Sequence, residues 1–262
     1  MIEIVCVGER KPDQVDGNGI YYIPNGPGLD GIASKYNWAI ENIVLKSDDD
    51  VICFRHDDFE FREQKDMIIG KIRRACKEGC GVIGLIGTII LESSCTWWEP
   101  NRFLNGDGFI IQGGLQEVVD KEGKPVLVEG KQMYRRIEYK MAGDLKQYSP
   151  GLHTYLTTLD GCCLFINRKL LEEGMRFDTN LKGYHFYDVD ICLQSLSRGY
   201  KNATINILGK HESEGRPPAD FDTYRKVCHD KWTARIDHWP ITTLTKFHEP
   251  EVSNADGDGK GV

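Results

Sequence analysis

The run Val51-Ile52-Cys53-Phe54 leads through Arg55 into His56-Asp57-Asp58. A second acidic cluster, Tyr187-Asp188-Val189-Asp190, stands far downstream, and His211 follows the run Ile205-Asn206-Ile207-Leu208. Carboxylates and imidazoles delivered at the ends of buried strands suit one task well: holding a divalent cation against a phosphate-bearing ligand. Asp58 offers hard oxygen donors, His56 reaches the ligand or the metal shell, and a neutral His211 completes a mixed oxygen/nitrogen set. Each residue also has a plainer reading. His56-Asp57-Asp58 could be a solvated turn, as Asp48-Asp49-Asp50 is expected to be. Asp188 suits a helix start, where free N–H groups and the helix dipole favour a carboxylate. His211 could be a hydrogen-bonded strand-end histidine.

Composition narrows the classes. The 262 residues are 40% hydrophobic with a net charge of −7, enough apolar material to bury a core. No basic run stands out, which argues against nucleic acid as a partner. It does not argue against a nucleotide, whose diphosphate a cation neutralises locally. Nine cysteines, irregularly spaced and without a CxxC pair, suggest neither a disulfide framework nor a zinc site, and point to a reducing, cytoplasmic setting. The first residues do not read as a signal peptide. No apolar run reaches membrane-spanning length, so membrane contact is expected to be peripheral at most.

The elements that must position these residues alternate in the first third. Strands are expected at Ile2 to Val7, Tyr21 to Ile23, Val51 to Phe54 and Val82 to Ile86. Between them Ile32, Tyr36, Ile40 and Ile43 predict an amphipathic helix from about Leu29 to Leu45, and Met67, Ile68, Ile72 and Cys76 predict another. Strand–helix alternation predicts parallel strands. Hairpins and loops are expected over 88–151, where Trp97-Trp98 lie, with β-prone pieces at Phe109 to Gln112 and Val126 to Val128. Then come a buried strand over Leu159 to Ile166, a helix from Asp188 to Arg198, a strand from Ala203 to Leu208 and a helix from Phe221 to Arg235. The expected organisation is a catalytic unit over 1–215, a helical extension over 216–248 and a disordered tail over 249–262, where little can be buried.

Taken in order, these residues resemble a known family. A helix carrying Asn37, a strand into His56-Asp57-Asp58, then Asp160-Gly161, Tyr187-Asp188-Val189-Asp190-Ile191-Cys192-Leu193 and His211 are similar to the GT-A glycosyltransferases, and within them to the family 2-like enzymes. The resemblance implies an α/β, Rossmann-like mixed and mostly parallel sheet flanked by helices, with a β-hairpin/loop insert. It implies inverting transfer from a nucleotide-sugar donor to a hydroxyl of a glycan or glycolipid, with Mn²⁺ or Mg²⁺. His56-Asp57-Asp58 stands in the place of the metal-binding Asp-x-Asp, with His56 for its first acid. Asp188 stands in the place of the catalytic base, with Tyr187 where a Glu is usual, and His211 in that of a C-terminal metal ligand. Val7 and Gly8 fall where the nucleobase is held, and Lys35 or Asn37 would touch the donor, although Lys35 could equally face solvent. Trp97 or Trp98 could stack on sugar, or divide between core and surface. Asp160, with Gly161 allowing close approach, could meet the acceptor or form a bulge. Asp190 could bind acceptor or sit in a surface pair. Two other classes stay open: a sugar nucleotidyltransferase, for which Gly8-Glu9-Arg10-Lys11 is a poor phosphate loop, and a non-catalytic carbohydrate-binding relative.

Overall fold

The fold is described from a computed structural model, which covers residues 1–7, 19–98, 106–117, 120–121, 124–128, 131–132, 134–142, 154–212 and 219–249. Gly8 and nearly all of the tail over 249–262 lie outside the described residues. Apolar runs with both faces buried make the centre. Strand β1 (Ile2–Cys6) lies parallel to β2 (Ile20–Ile23) on one side and to β3 (Val51–His56) on the other. Helix α1 (Ile32–Asn42) joins the latter two and packs Ile32, Tyr36, Ala39 and Ile40 on the sheet. It is shorter than the sequence suggests: after Asn42 the chain makes a single 3₁₀ turn, Val44–Lys46, that buries Val44. A tight turn at Asp57-Asp58 leads from β3 into β4 (Phe59–Phe61).

Helix α2 (Lys65–Lys77) precedes β5 (Cys80–Gly84), β6 (Ile86–Thr88) and β7 (Ile90–Leu91). The expected hairpin insert is β8 (Gly106–Glu117) against β11 (Tyr134–Ala142), with β9 (Leu127–Val128) and β10 (Lys131–Gln132) pairing between them. There follow β12 (Thr154–Leu156), β13 (Thr158–Leu159), β14 (Cys163–Asn167) and the short α3 (Arg168–Glu172). Helix α4 (Tyr187–Ser197), β15 (Lys201–Thr204), β16 (Gly209–Glu212), α5 (Phe221–Thr233) and β17 (Ile241–Thr242) complete the described chain.

The main sheet has the order β12-β15-β5-β14-β3-β1-β2. Strands β1, β2, β3, β5 and β15 run one way; β14 and β12 run against them. A second sheet, β13-β6-β8-β16-β4, lies beyond the end of β3. The single strand expected over Ala203 to Leu208 is therefore two. β15 ends in the main sheet at Thr204, the chain crosses over, and β16 pairs antiparallel with β4, setting His211 opposite Phe59. His211 thus sits within a strand rather than just past one.

Period-2 alternation explains the two cores. Ile52 and Phe54 of β3 face α1 and α4, while Val51 and Cys53 face α2. A third cluster joins α4 to α5 through Phe186, Val189, Leu193, Cys228 and Trp232.

Candidate active site

The β1–β3 register sets the site. Cys6 pairs with His56, so both strands end together and present Val7 and the His56-Asp57-Asp58 turn side by side. β2 and β3 flank β1 on opposite sides, so the connections diverge here, the position at which open α/β sheets bind ligands. The turn is held from beneath. Buried Arg55 donates to the carbonyls of His56 at 3.2 Å and Phe59 at 2.9 Å, and its Nε bonds Glu3 Oε2 at 2.9 Å. The Asp58 carbonyl accepts from Glu212 N at 2.9 Å, tying the turn to β16. Arg55→Met leaves Glu3 with the more exposed Lys65 Nζ at 3.5 Å and frees both carbonyls. Urea denaturation should show a loss of about 3 kcal/mol.

Three side chains converge above the turn. His211 Nε2 lies 3.3 Å from Asp58 Oδ1, His56 Nδ1 lies 3.9 Å from the same oxygen, and the two ring nitrogens are 3.4 Å apart. Donor atoms about 2.1 Å from a shared cation stand roughly 3.0–3.5 Å from each other; the two edges at His211 lie in that range, and the 3.9 Å edge between His56 and Asp58 would close by a few tenths of an ångström around a small divalent ion. Asp58 Oδ1 is buried without a well-directed hydrogen bond, and its contact with His211 is an ion-pair distance. Burial and the charge of His211 pull the His56 pKa down to about 4, leaving a neutral imidazole. His211 is also pulled down by burial, but contact with Asp58 and the charges of Asp160 and Asp58 outweigh that and hold it above its ordinary value. Asp58 is pushed up by burial and more than compensated by His211 and His56, so it stays below the usual carboxylate range. Asp160, Cys162 and His211 form an alternative cluster. Burial and Asp160 keep Cys162 a protonated thiol, a poor ligand, so the His56–Asp58–His211 set is the stronger candidate.

The second half of the site is the start of α4 against the Asp160-Gly161 turn. Asp188 Oδ2 accepts from Gly161 N at 2.9 Å and Oδ1 from Val189 N at 2.9 Å. The Tyr187 hydroxyl donates to the Gly161 carbonyl at 2.7 Å and lies 2.8 Å from His56 Nε2. Gly161 is required here: a Cβ would stand 2.2 Å from the Tyr187 hydroxyl oxygen and 2.9 Å from Asp188 Cβ. Burial and the neighbouring charge of Asp160 raise the Asp188 pKa to about 7, against the lowering effect of its backbone bonds. A carboxylate at that value can gain and lose a proton near neutrality.

Residues 27–229 match the family described as "Glycosyltransferase like family". The chain belongs to that family. Among solved structures, GalNAc-T7 with UDP, GalNAc and Mn²⁺ is similar with a TM-score of 0.50 at 10% identity, over 82% of this chain and 37% of that one. This glycosyltransferase chain therefore spans little more than a third of that relative's length, and the likeness is one of fold, the GT-A fold. A197 from STIV matches with a TM-score of 0.43 at 13% identity, over 82% of this chain and 88% of that one. No curated protein matches the sequence.

Within this glycosyltransferase several expected contacts take other roles. Lys35 is buried and donates from Nζ to the Val7 carbonyl at 2.7 Å, bracing the end of β1 rather than facing solvent. Burial lowers its pKa, against the opposing influence of Cys6 and Asp57. The Asn37 amide donates to the Phe177 carbonyl at 2.8 Å and accepts from Phe177 N at 2.9 Å, latching α1 to a loop 140 residues away. Asp190 is 0% exposed and its oxygens accept from Trp232 Nε1 at 2.9 Å and Gln194 Nε2 at 2.8 Å, with Lys231 Nζ at 2.6 Å. It anchors α5 on α4 and is closed off from solvent. The tryptophan pair divides between core and surface, with Trp97 packed in the α2-side core with Cys162 and Ile110. Trp98 is half-buried, with its ring 6.0 Å from both His185 and Phe221. Asp57 is exposed on the turn, and Asp160 Oδ1 accepts from Cys162 N at 2.7 Å.

Residue-by-residue reading missed Arg55, the Tyr187 hydroxyl and Tyr184. Tyr184 is 56% exposed with its ring edge-on to His56 at 6.4 Å. The one available signal for Tyr187 was its place immediately before Asp188.

Proposed function

We propose that this protein transfers a sugar, of the hexosyl type, from a nucleotide-sugar donor to a hydroxyl of a glycan or glycolipid acceptor, with inversion. The observation that carries this reading is the His56–Asp58–His211 triangle joined, through Tyr187 and Gly161, to Asp188. The triangle and the end of β1 at Val7 receive the donor, with Asp57 and Tyr184 at the rim. His56, Asp58 and His211 would hold a divalent cation, which would supply positive charge against the departing diphosphate. Two imidazoles and one carboxylate favour Mn²⁺ over Mg²⁺, which prefers an all-oxygen shell. Asp188 orients the acceptor hydroxyl and takes its proton as the new bond forms. Trp98, His185 and Tyr184 offer aromatic faces on which an acceptor sugar can pack.

We assign catalysis to residues 1–215, with 216–248 as an extension that shares a core with α4. The nine free thiols fit a reducing, cytoplasmic setting. Among the described residues no helix is long and apolar enough to cross a membrane.

The test is a thermal-shift series with UDP, GDP, CMP and dTDP, each with Mn²⁺ or with EDTA, followed by a transfer assay with the matching sugar nucleotide. UDP, the nucleotide in the GalNAc-T7 structure, comes first. A nucleotide at a hundred times its Kd stabilises the fold by about 2.7 kcal/mol. That stabilisation should require Mn²⁺ and should disappear in Asp58→Ala, whose metal-free melting temperature stays near wild type. Equal shifts in Mn²⁺ and EDTA would remove the metal from the reading.

A further inference from the structure

The geometry points to Tyr187 as a positioning residue: its hydroxyl fixes the tautomer of His56 so that Nδ1 faces the metal triangle as a bare lone pair. The metal half of this statement rests on the proposed function; the tautomer half does not. Tyr187 is buried, with its ring 6.0 Å from those of Tyr36 and Phe177, so the hydroxyl is held in place. It has one proton and two polar neighbours, the Gly161 carbonyl at 2.7 Å and His56 Nε2 at 2.8 Å. The carbonyl can only accept, so the phenol proton belongs to it. The phenol oxygen must then accept, and the hydrogen between it and His56 comes from Nε2. A neutral imidazole carries one N–H, so Nδ1 is left without a proton. Nδ1 is the atom 3.4 Å from His211 Nε2 and 3.9 Å from Asp58 Oδ1. The opposite tautomer sets lone pair against lone pair at 2.8 Å, or turns the phenol away and leaves the Gly161 carbonyl unpaired. Histidine ligands are commonly oriented through the nitrogen that does not bind metal. Here the partner is a phenol one residue before the proposed base, so one short segment would set both the ligand and the base.

The experiment reads the tautomer directly. Long-range ¹H–¹⁵N correlations from ¹⁵N-histidine-labelled, metal-free protein, with His56 assigned through His56→Gln, should show His56 protonated at Nε2. Tyr187→Phe keeps the ring and removes the hydroxyl. It should show a mixture of tautomers or the Nδ1–H form, and should bind Mn²⁺ at least about tenfold more weakly by calorimetry. A purely structural role for Tyr187 would lower the melting temperature and leave the tautomer unchanged. Nδ1–H in wild type overturns the proposal without any variant, as does an unchanged tautomer and Mn²⁺ affinity in a folded Tyr187→Phe. Wild type that shows Nε2–H but binds no Mn²⁺ overturns the metal half and keeps the tautomer lock.

Discussion

Asp188→Asn is expected to slow sugar transfer by about two to four orders of magnitude while donor binding is retained. The amide cannot take the acceptor proton, and the donor-side triangle is untouched. Stability is the more delicate readout. Both carboxylate oxygens accept backbone N–H groups, from Gly161 and Val189. Asn turns one of those acceptors into a donor facing a donor, which costs stability. The substitution also removes a charge whose burial raises the pKa to about 7, which restores some. The two effects oppose each other and should leave a net change within about 2 kcal/mol. The pH dependence separates them. Because the folded pKa lies above the ordinary carboxylate value, the folded state holds that proton more tightly than the unfolded chain. This contribution to stability is present below about pH 4 and is lost as pH rises to about 7. Asp188→Asn should flatten that part of the profile. Wild-type turnover should rise with pH through about 7. Full turnover in the Asn variant, with stability lost only in Asp188→Ala, would reduce Asp188 to a helix-start residue. Turnover and melting temperature for both variants across pH decide the matter.

Lys231→Met is expected to lower stability by about 3–5 kcal/mol at neutral pH. Lys231 Nζ lies 2.6 Å from Asp190 and 2.7 Å from Asp178, and Asp190 has no exposure to water. Trp232 and Gln194 still donate to Asp190 in the variant, but neither carries charge. Burial already holds the Asp190 carboxyl above its ordinary pKa, and the charge and hydrogen bond of Lys231 oppose that rise. Without Lys231 the pKa rises further, and the carboxyl escapes part of the penalty by taking up a proton. The deficit relative to wild type should therefore shrink as pH falls, because a protonated Asp190 needs no counter-charge. Denaturant titrations at neutral and mildly acidic pH measure this. A deficit that does not change with pH would mean that Lys231 acts by packing its stem on Trp232, not by charge.

Some of this chain could be read locally. A strand that runs straight into His56-Asp57-Asp58 places polar side chains at a strand end whatever else happens, because the run before them must be buried. Asp188 at a helix start is legible for a different local reason: free N–H groups in the first turn favour a carboxylate there. Alternating strand and helix predicted the parallel part of the sheet. The reversed strand β14, inserted between β3 and β5, left no local mark, since a strand buried on both faces reads alike in either direction.

Asn37, Asp190 and Trp97 show where local reading ended. Each is a residue type suited to ligand contact, and each is engaged inside the protein: Asn37 by a backbone 140 residues away, Asp190 by α5, Trp97 by the core. Residue type states what a side chain can bond to; which partner arrives depends on how distant segments pack. The family and the α/β architecture were determined by the sequence alone, through hydrophobic period and motif order. That His211 comes to Asp58 within a second sheet, and that Tyr187 and Gly161 link His56 to Asp188, was decided only by the tertiary structure. These contacts join segments far apart in the chain, and no periodicity encodes the distance between them.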